Sequence, residues 1–254
     1  MAIAEKLISI SANEETIASN VQRVYEAGKA EGIAEGKQAE YDAFWDAYQS
    51  NGERTSYENA FAGSGWNDIT FNPKYNMSPT SLYMTFRFSQ VRDLMGICER
   101  NKVSLDFTKV TVLQYSFYYS TITRFPTIDA SNAGTLIQSF AGCRQLVSVD
   151  KLILSEANKF SGTFDVLTSL VSMPIEGVIG QSGFDIHWST KLNKASIVSI
   201  INALSTTTTG LTVTLSKTAV NTAFATAEGA ANGSTSAEWL ALVATRSNWT
   251  IALA

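Results

Sequence analysis

FAGCRQLVSV, residues 140–149, is the stretch that decides the predicted fold. Within it, apolar side chains recur at every third position: Phe140, Cys143, Leu146 and Val149. The same spacing returns one copy later: Phe164, Leu167, Leu170 and Met173. A pattern that repeats in this way is typical of a unit that can bury its apolar face only against the next unit.

The period of this repeat is about two dozen residues. Alignment of the copies on their largest side chain gives one column with steps of 23, 24 and 24 residues: Phe117, Phe140, Phe164 and Trp188. A second column, four positions earlier, has the same steps: Leu113, Leu136, Phe160 and Phe184. A fixed period in this range is typical of stacked repeats. The spacing therefore predicts that the first column is buried and continuous.

The repeat extends upstream in less regular form and stops after Trp188. Tyr57 with Phe61, and Leu82 with Phe86, are the earlier pairs of core positions. Beyond the repeats, apolar residues alternate in patterns typical of short helices and of two strands. We therefore predict three parts: a helical attachment segment at 1–50, the repeats at 51–193 and an α/β capping subdomain at 194–254.

The first part has the pattern of a helix that packs against another helix. Ser11 and Glu14 have the spacing of a capping box, so a helix is expected to begin there. An apolar seam follows and continues as three glycines spaced four apart: Ile17, Val21, Val24, Gly28, Gly32 and Gly36. Because each glycine costs a helix about 1 kcal/mol relative to alanine, their alignment indicates a closely packed second backbone. We expect homo-oligomerisation here; the alternative is a flexible linker.

Composition and charge exclude several classes of partner. The hydrophobic content of 45% is that of a folded globular protein. The formal net charge is −4 and Lys and Arg form no cluster, so we expect no nucleic-acid partner. No apolar run approaches the roughly 20 residues that cross a bilayer, and residues 1–10 lack the pattern of a signal peptide. We therefore expect no membrane insertion.

The spacing in residues 140–149 resembles that of the BspA-type leucine-rich repeat. The resemblance covers about residues 57–192 and rests on an initial Phe with small or apolar residues three, six and nine positions later. Together with the flanking segments, it implies an α/β fold: a leucine-rich-repeat solenoid with an N-terminal long helix and a C-terminal α/β cap.

The layout of the chain is also similar to prophage tail-associated proteins that carry this repeat. The matching stretches are Asp42-Ala43-Phe44-Trp45-Asp46, Asn51-Gly52, residues 71–75 and residues 245–251. This resemblance implies a phage tail or baseplate component that contacts the host surface, as protein or glycan, or a neighbouring virion protein. The alternative is a bacterial cell-surface adhesin built on the same repeat. The expected location is accordingly the virion or the bacterial surface.

The sequence offers no pattern of catalytic or metal-binding residues. His187 is the single histidine and lies between two core positions, so we interpret it as structural. No carboxylate pair, phosphate-binding loop or metal-ligand spacing is present, and we expect no cofactor and no enzyme activity. An enzyme that acts on surface polysaccharide is a third hypothesis. Cys98 and Cys143 are expected to be buried free thiols.

Outward-facing aromatic residues form the one candidate binding site. Tyr115 and Tyr119 each lie two residues past a core position, about 200° round a helix and so away from the core. The equivalent residues of the previous copy are Met84 and Phe88, and Tyr118 borders the group. An exposed apolar patch of this kind usually marks an interaction site. The alternative is that the N-terminal helix or a neighbouring subunit covers it.

Overall fold

The computed structural model describes residues 56–63 and 73–254, which contain four α-helices and six β-strands. The helices are α1 (Leu94–Asn101), α2 (Lys194–Ala203), α3 (Lys217–Ala223) and α4 (Ala237–Ala244). The strands are β1 (Arg124–Asp129), β2 (Ser148–Leu154), β3 (Ile175–Gly177), β4 (Phe184–Asp185), β5 (Leu211–Leu215) and β6 (Trp249–Leu253). They form two three-stranded parallel sheets, in the orders β1-β2-β3 and β4-β5-β6.

Successive lengths of chain before and after β1 meet at isolated parallel bridges. Ser81 bridges Ser56 and Val112, and Thr135 bridges Val112 and Lys159. A six-residue turn follows soon after each of these positions. We call these the first to fifth turn segments: residues 58–63, 83–88, 114–119, 137–142 and 161–166.

Backbone hydrogen bonds join neighbouring turn segments side by side. Tyr115 N donates to Ile137 O at 3.1 Å, and Tyr119 N donates to Ala141 O at 2.8 Å. Bonds of the same kind join the first segment to the second and the second to the third. Because these bonds run between adjacent lengths of parallel chain, the segments lie one beside the next at a separation close to that of strands in a sheet.

Five phenylalanines, one from each turn segment, stack inside the protein. The ring centroids are 5.1 Å apart for Phe61–Phe86, 5.4 Å for Phe86–Phe117, 5.6 Å for Phe117–Phe140 and 6.2 Å for Phe140–Phe164. No ring is more than 2% exposed. Stacked aromatic pairs contribute about 0.5–1.5 kcal/mol beyond the burial of their area. This column therefore forms the centre of the core between the turn segments.

The predicted column is wrong at its last position, because Trp188 is 46% exposed. The backbone bond from Asn193 N to Val171 O spans 22 residues, whereas the bond from Val171 N to Val147 O spans 24. The chain from Val171 to Asn193 is thus two residues shorter than a period of 24 residues requires. At the offset of 22, the buried Ile186 aligns with Phe164, and Trp188 is displaced to the outer surface.

The predicted fold class, a leucine-rich-repeat solenoid with an N-terminal long helix and a C-terminal cap, is wrong. The described residues form two separate three-stranded sheets with four helices. Turn segments with left-handed backbone cannot continue a strand, so the β-pairing of the chain before β1 is limited to single bridges. The shortened length of chain around β4 pairs with β5 rather than with β3. The predicted long helix lies outside the described residues.

The C-terminal part contributes two of the three strands of the second sheet. Phe184 in β4 pairs with Val213 in β5, so this sheet extends across residue 193, where a boundary was predicted. Parallel β5 and β6 pair from Leu211 and Trp249 onward. Ser236 caps α4 by accepting a hydrogen bond from Trp239 N, as its position before an apolar helical stretch predicts.

The residues predicted to mediate oligomerisation fall outside the described part of the chain: Ile17, Val21, Val24, Gly28, Gly32 and Gly36. The prediction for residues 1–50 therefore stays a prediction.

Candidate binding face

Each turn segment has two positions with left-handed backbone, which we call the outward positions. Their φ angles lie between 51° and 75°, and the pairs are Asn59 and Gly63, Met84 and Phe88, Tyr115 and Tyr119, Gln138 and Gly142, Gly162 and Val166. The spacing of these residues predicts that they face outward from a helix. The structure shows a turn instead, in which the outward residues are those with positive φ.

Large side chains at these positions are energetically costly. A residue with a Cβ in left-handed backbone is disfavoured by roughly 1–2 kcal/mol relative to right-handed backbone. Glycine occupies the second outward position in the first and fourth segments, at Gly63 and Gly142, whereas the second and third have Phe88 and Tyr119. Backbone strain of this kind concentrates at functional sites. The two aromatic side chains are thus candidates for a role other than folding.

The structure brings the predicted aromatic residues together on this surface. Ring centroids are 4.7 Å apart for Tyr118–Tyr119, 5.6 Å for Phe88–Tyr118 and 5.6 Å for Tyr115–Tyr118. Phe88 is 47% exposed and Tyr119 42% exposed, while the others are half-buried. We call the predicted set the aromatic patch: Met84, Phe88, Tyr115, Tyr118 and Tyr119.

Gly142 lets the Tyr119 ring lie against the backbone. A Cβ at residue 142 would be 2.6 Å from Cδ2 of Tyr119 and 2.7 Å from Cε2, closer than van der Waals contact allows. The ring therefore lies against the backbone at the glycine, and the Tyr119 side chain stays 42% exposed. A supported, partly exposed ring is suited to stacking against a flat ligand.

Arg87 belongs to the same site, although the sequence argument did not identify it. Its guanidinium carbon lies 4.8 Å from the Phe88 ring centroid and 5.8 Å from that of Tyr118. Nη1 contacts Met84 Sδ at 3.8 Å, and none of the described carboxylates forms an ion pair with it. The signal was available in the sequence, because Arg87 precedes Phe88 as Tyr118 precedes Tyr119.

Buried polar atoms without a hydrogen-bond partner also occur beside the patch. Within the described residues these are Arg87 Nε, Ser89 Oγ and Thr121 Oγ1. All three lie in the second and third turn segments, which carry the patch, or within two residues after them. Buried polar groups are rarely left unsatisfied, so each such group needs an explanation. Their occurrence here distinguishes this region from the other turn segments.

The half-buried His187 and the exposed Trp188 form a second aromatic group. At the offset of 22, Trp188 aligns with Val166 and His187 aligns with Asp165. The His187 and Trp188 rings are 4.9 Å apart, and His187 Nδ1 is 2.7 Å from Asp185 Oδ1. The sequence analysis did not identify this group, because a regular period of 24 residues predicts that Trp188 is buried in the core.

Neither cysteine is arranged for catalysis. Both are free and buried, as predicted. Burial raises the pKa of the Cys143 thiol to about 12, and its Sγ donates to Phe117 O at 2.9 Å. Burial likewise raises the pKa of Cys98, to about 11. Thiols with such pKa values are protonated at neutral pH and are poor nucleophiles.

Searches of the described residues for other kinds of site gave two negative findings. Residues 56–63 and 73–254 contain no group of three or more His, Cys, Asp and Glu placed to hold a metal ion. In the same ranges, the helices are too short or too polar to cross a membrane.

Comparison with known proteins gives no relative: no protein-family model, no curated protein and no solved structure matches this chain. We call the surface formed by the outward positions of the turn segments the turn face. Its geometry is therefore the main support for a functional proposal.

Proposed function

We propose that this chain is a non-enzymatic binding protein and that the aromatic patch contacts a glycan of a bacterial cell surface. The observation that carries the proposal is the placement of Phe88 and Tyr119, two exposed aromatic side chains on left-handed backbone. Glycine would relieve the strain at either position. An aromatic ring there is consistent with a binding role that compensates for the strain.

The form of the patch favours a saccharide. Tyrosine combines a flat apolar ring with a hydroxyl that can donate or accept a hydrogen bond. The C–H groups on one side of a sugar ring are attracted to the negative face of an aromatic ring, and sugar hydroxyls can bond the tyrosine hydroxyls. Tyr119 offers such a face because Gly142 supports the other side of its ring.

The setting we propose is a phage tail or baseplate that contacts its host, following the resemblance to prophage tail-associated proteins. Homo-oligomerisation through residues 1–50 is part of this proposal, because several copies on one particle multiply the strength of a weak saccharide contact. Light scattering of the full chain is expected to show an oligomer. Replacement of Ile17 and Val21 by Asp is expected to reduce it to a monomer.

The binding proposal is tested on an array of bacterial surface glycans with the full chain. We expect binding that is lost in the double variant Tyr115→Ala with Tyr119→Ala. Leu240→Ala is the matched control, because Leu240 is 54% exposed on α4 and lies outside the patch. Unchanged binding by the double variant would remove the patch from the proposal, and the absence of any glycan signal would overturn it.

Immunogold labelling of particles from the source bacterium tests the setting. Gold on the tails of released particles is the expected result. Gold on intact cells without particles would replace the phage setting with the adhesin, which would use the same binding face.

A further inference from the structure

We propose that the ligand is an acidic oligosaccharide that lies along the turn face, with a carboxylate at Arg87 and a sugar ring on Trp188. This inference rests on the proposed function and specifies its ligand. It combines two groups that the sequence pattern did not predict: Arg87 in the second turn segment, and Trp188 beyond the fifth.

The carboxylate is inferred from the charge of Arg87. Its guanidinium lies over Phe88 and Tyr118 and forms no ion pair with a described carboxylate. Stacking on aromatic rings holds the planar group in place and leaves N–H donors available. Arginine binds carboxylates through parallel N–H···O bonds, so an acidic sugar complements this end of the site.

The length of the ligand is inferred from the alignment of the second outward positions. Phe88, Tyr119, Gly142 and Val166 occupy this position in the second to fifth segments. Trp188 aligns with Val166 at the offset of 22 and is exposed, although its backbone is not left-handed. Four steps at about 4.8 Å each place Trp188 roughly 19 Å from Phe88 along the row. Only a ligand of several sugar units can contact both ends.

The residues between the two ends are small or polar. Ala141 and Gly142 occupy the fourth segment, where the Tyr119 ring lies over the glycine. Asp165 and Val166 follow in the fifth segment. A ligand can therefore pass over this stretch without meeting a large protruding side chain other than Tyr119.

The far end is suited to neutral sugar hydroxyls rather than to an anion. Asp185 Oδ1 lies 2.7 Å from Nδ1 of His187, within hydrogen-bond distance of the ring. Asp185 contacts His187 and Asp165 aligns with it, whereas Arg87 forms no ion pair with a described carboxylate. This difference favours one orientation of the ligand, with its carboxylate at Arg87.

The test uses the full chain and titration calorimetry with galacturonate oligosaccharides. The probes are a disaccharide, a hexasaccharide and the same hexasaccharide with its carboxylates reduced to alcohols. Since a hydrogen bond to a charged group contributes about 1.5–3 kcal/mol, the acidic hexasaccharide is expected to bind about 10- to 100-fold more tightly than the reduced one. Arg87→Gln is expected to abolish this preference. Arg124→Gln, at an exposed arginine on β1, is the control.

Trp188→Ala tests the length of the site. We expect the wild-type chain to bind the hexasaccharide more tightly than the disaccharide, and the variant to bind both alike. Titration of the wild type is also expected to change tryptophan fluorescence with the hexasaccharide, and this change is expected to be smaller in Trp188→Ala.

Two outcomes overturn this inference and leave the proposed function in place. Equal binding of the acidic and reduced hexasaccharides removes the carboxylate, and an unchanged length dependence in Trp188→Ala removes the far contact. In both cases, loss of the remaining binding in Tyr115→Ala with Tyr119→Ala would still support the patch. A chain that binds surface glycans but none of these probes overturns the acidic ligand alone.

Discussion

The inner and outer sides of the turn segments share one backbone but differ in how far their residues vary. On the inner side, all five segments have Phe at the same position, from Phe61 to Phe164. On the outer side, the second outward position changes from Gly63 to Phe88, Tyr119, Gly142 and Val166. The inner position must fill a fixed space between neighbouring rings. The outer position has no such constraint.

This difference separates residues that determine the fold from candidates for binding. Aromatic side chains on the inner side are explained by burial alone. Those on the outer side occupy left-handed backbone that glycine accepts without cost, so their presence is not explained by folding. Truncation of an inner aromatic residue should therefore mainly lower the free energy of unfolding. Truncation of an outer aromatic residue should mainly weaken ligand binding.

The largest effect is expected from truncation on the inner side. Phe117 is fully buried and its ring lies 5.4 Å from Phe86 and 5.6 Å from Phe140, so Phe117→Ala leaves a cavity in the column. Denaturant unfolding is expected to show a loss of about 3–5 kcal/mol. Phe88→Ala is the outer control, with an expected loss below about 1 kcal/mol. Similar losses for the two variants would contradict the distinction between the sides.

Gly142→Ala is expected to have the next largest effect. The added Cβ would displace the Tyr119 ring and would also occupy backbone with φ of 75°. The strain is expected to cost about 1–2 kcal/mol. Gly63→Ala has a similar φ but nothing within 4 Å of its added Cβ, so it isolates the strain. Only Gly142→Ala should weaken glycan binding; equal binding by both variants would show that the position of the ring is unimportant.

A pH-dependent effect is expected at Cys143, on the inner side. Burial raises its pKa from 9.0 to about 12, so the unfolded chain loses this proton first as the pH rises. The contribution of the thiol to stability is therefore complete below pH 9 and is lost between pH 9 and pH 12. The loss is expected to approach about 1.4 kcal/mol for each pH unit.

Comparison of urea unfolding for the wild type and Cys143→Ala, from neutral pH to pH 10, tests this effect. The stability of the wild type should fall more steeply than that of the variant. Cys98, whose pKa is also raised, is present in both proteins and so does not affect the difference. Parallel curves would show that Cys143 is less buried than the structure indicates.

The smallest effect on stability is expected for Tyr119→Gly. The variant relieves the left-handed strain and loses the contacts of a ring that is 42% exposed. Relief of the strain stabilises the fold and loss of the contacts destabilises it, so the net change in the free energy of unfolding is expected to lie within about 1 kcal/mol. Glycan binding should nevertheless be lost. Val166→Gly relieves the same strain at φ of 60° without removing a ring, and it should keep binding. A large loss of stability in Tyr119→Gly would make Tyr119 a structural residue.

The local pattern predicted burial and outward direction well. Phe117, Phe140 and Phe164 are buried at the spacing that the sequence shows, and Tyr119 and Phe88 are exposed as expected. These features depend on which residues are apolar and how far apart they lie. Arg87 escaped notice because the argument considered only apolar residues at the outward positions, although its place next to Phe88 was visible.

The error at Trp188 has a different origin. A period of 24 residues fits its position by counting, but the chain there is two residues shorter, as the bond from Asn193 N to Val171 O shows. One local sign was present, because Lys191 stands three residues after Trp188, where the other copies have Ser120, Cys143 and Leu167. Its meaning became clear only from the hydrogen bond between Asn193 and Val171, which are distant in the sequence.

The sequence by itself determined the repeated apolar spacing and the buried free thiols, since both depend on residue type and local distance. The tertiary structure decided the division into two sheets, the left-handed turns and the placement of Trp188 in line with Tyr119. These depend on hydrogen bonds between segments 22 or more residues apart, such as the contact of Ser189 with Leu167. Spacing along a chain cannot specify which of several distant partners a backbone group will meet.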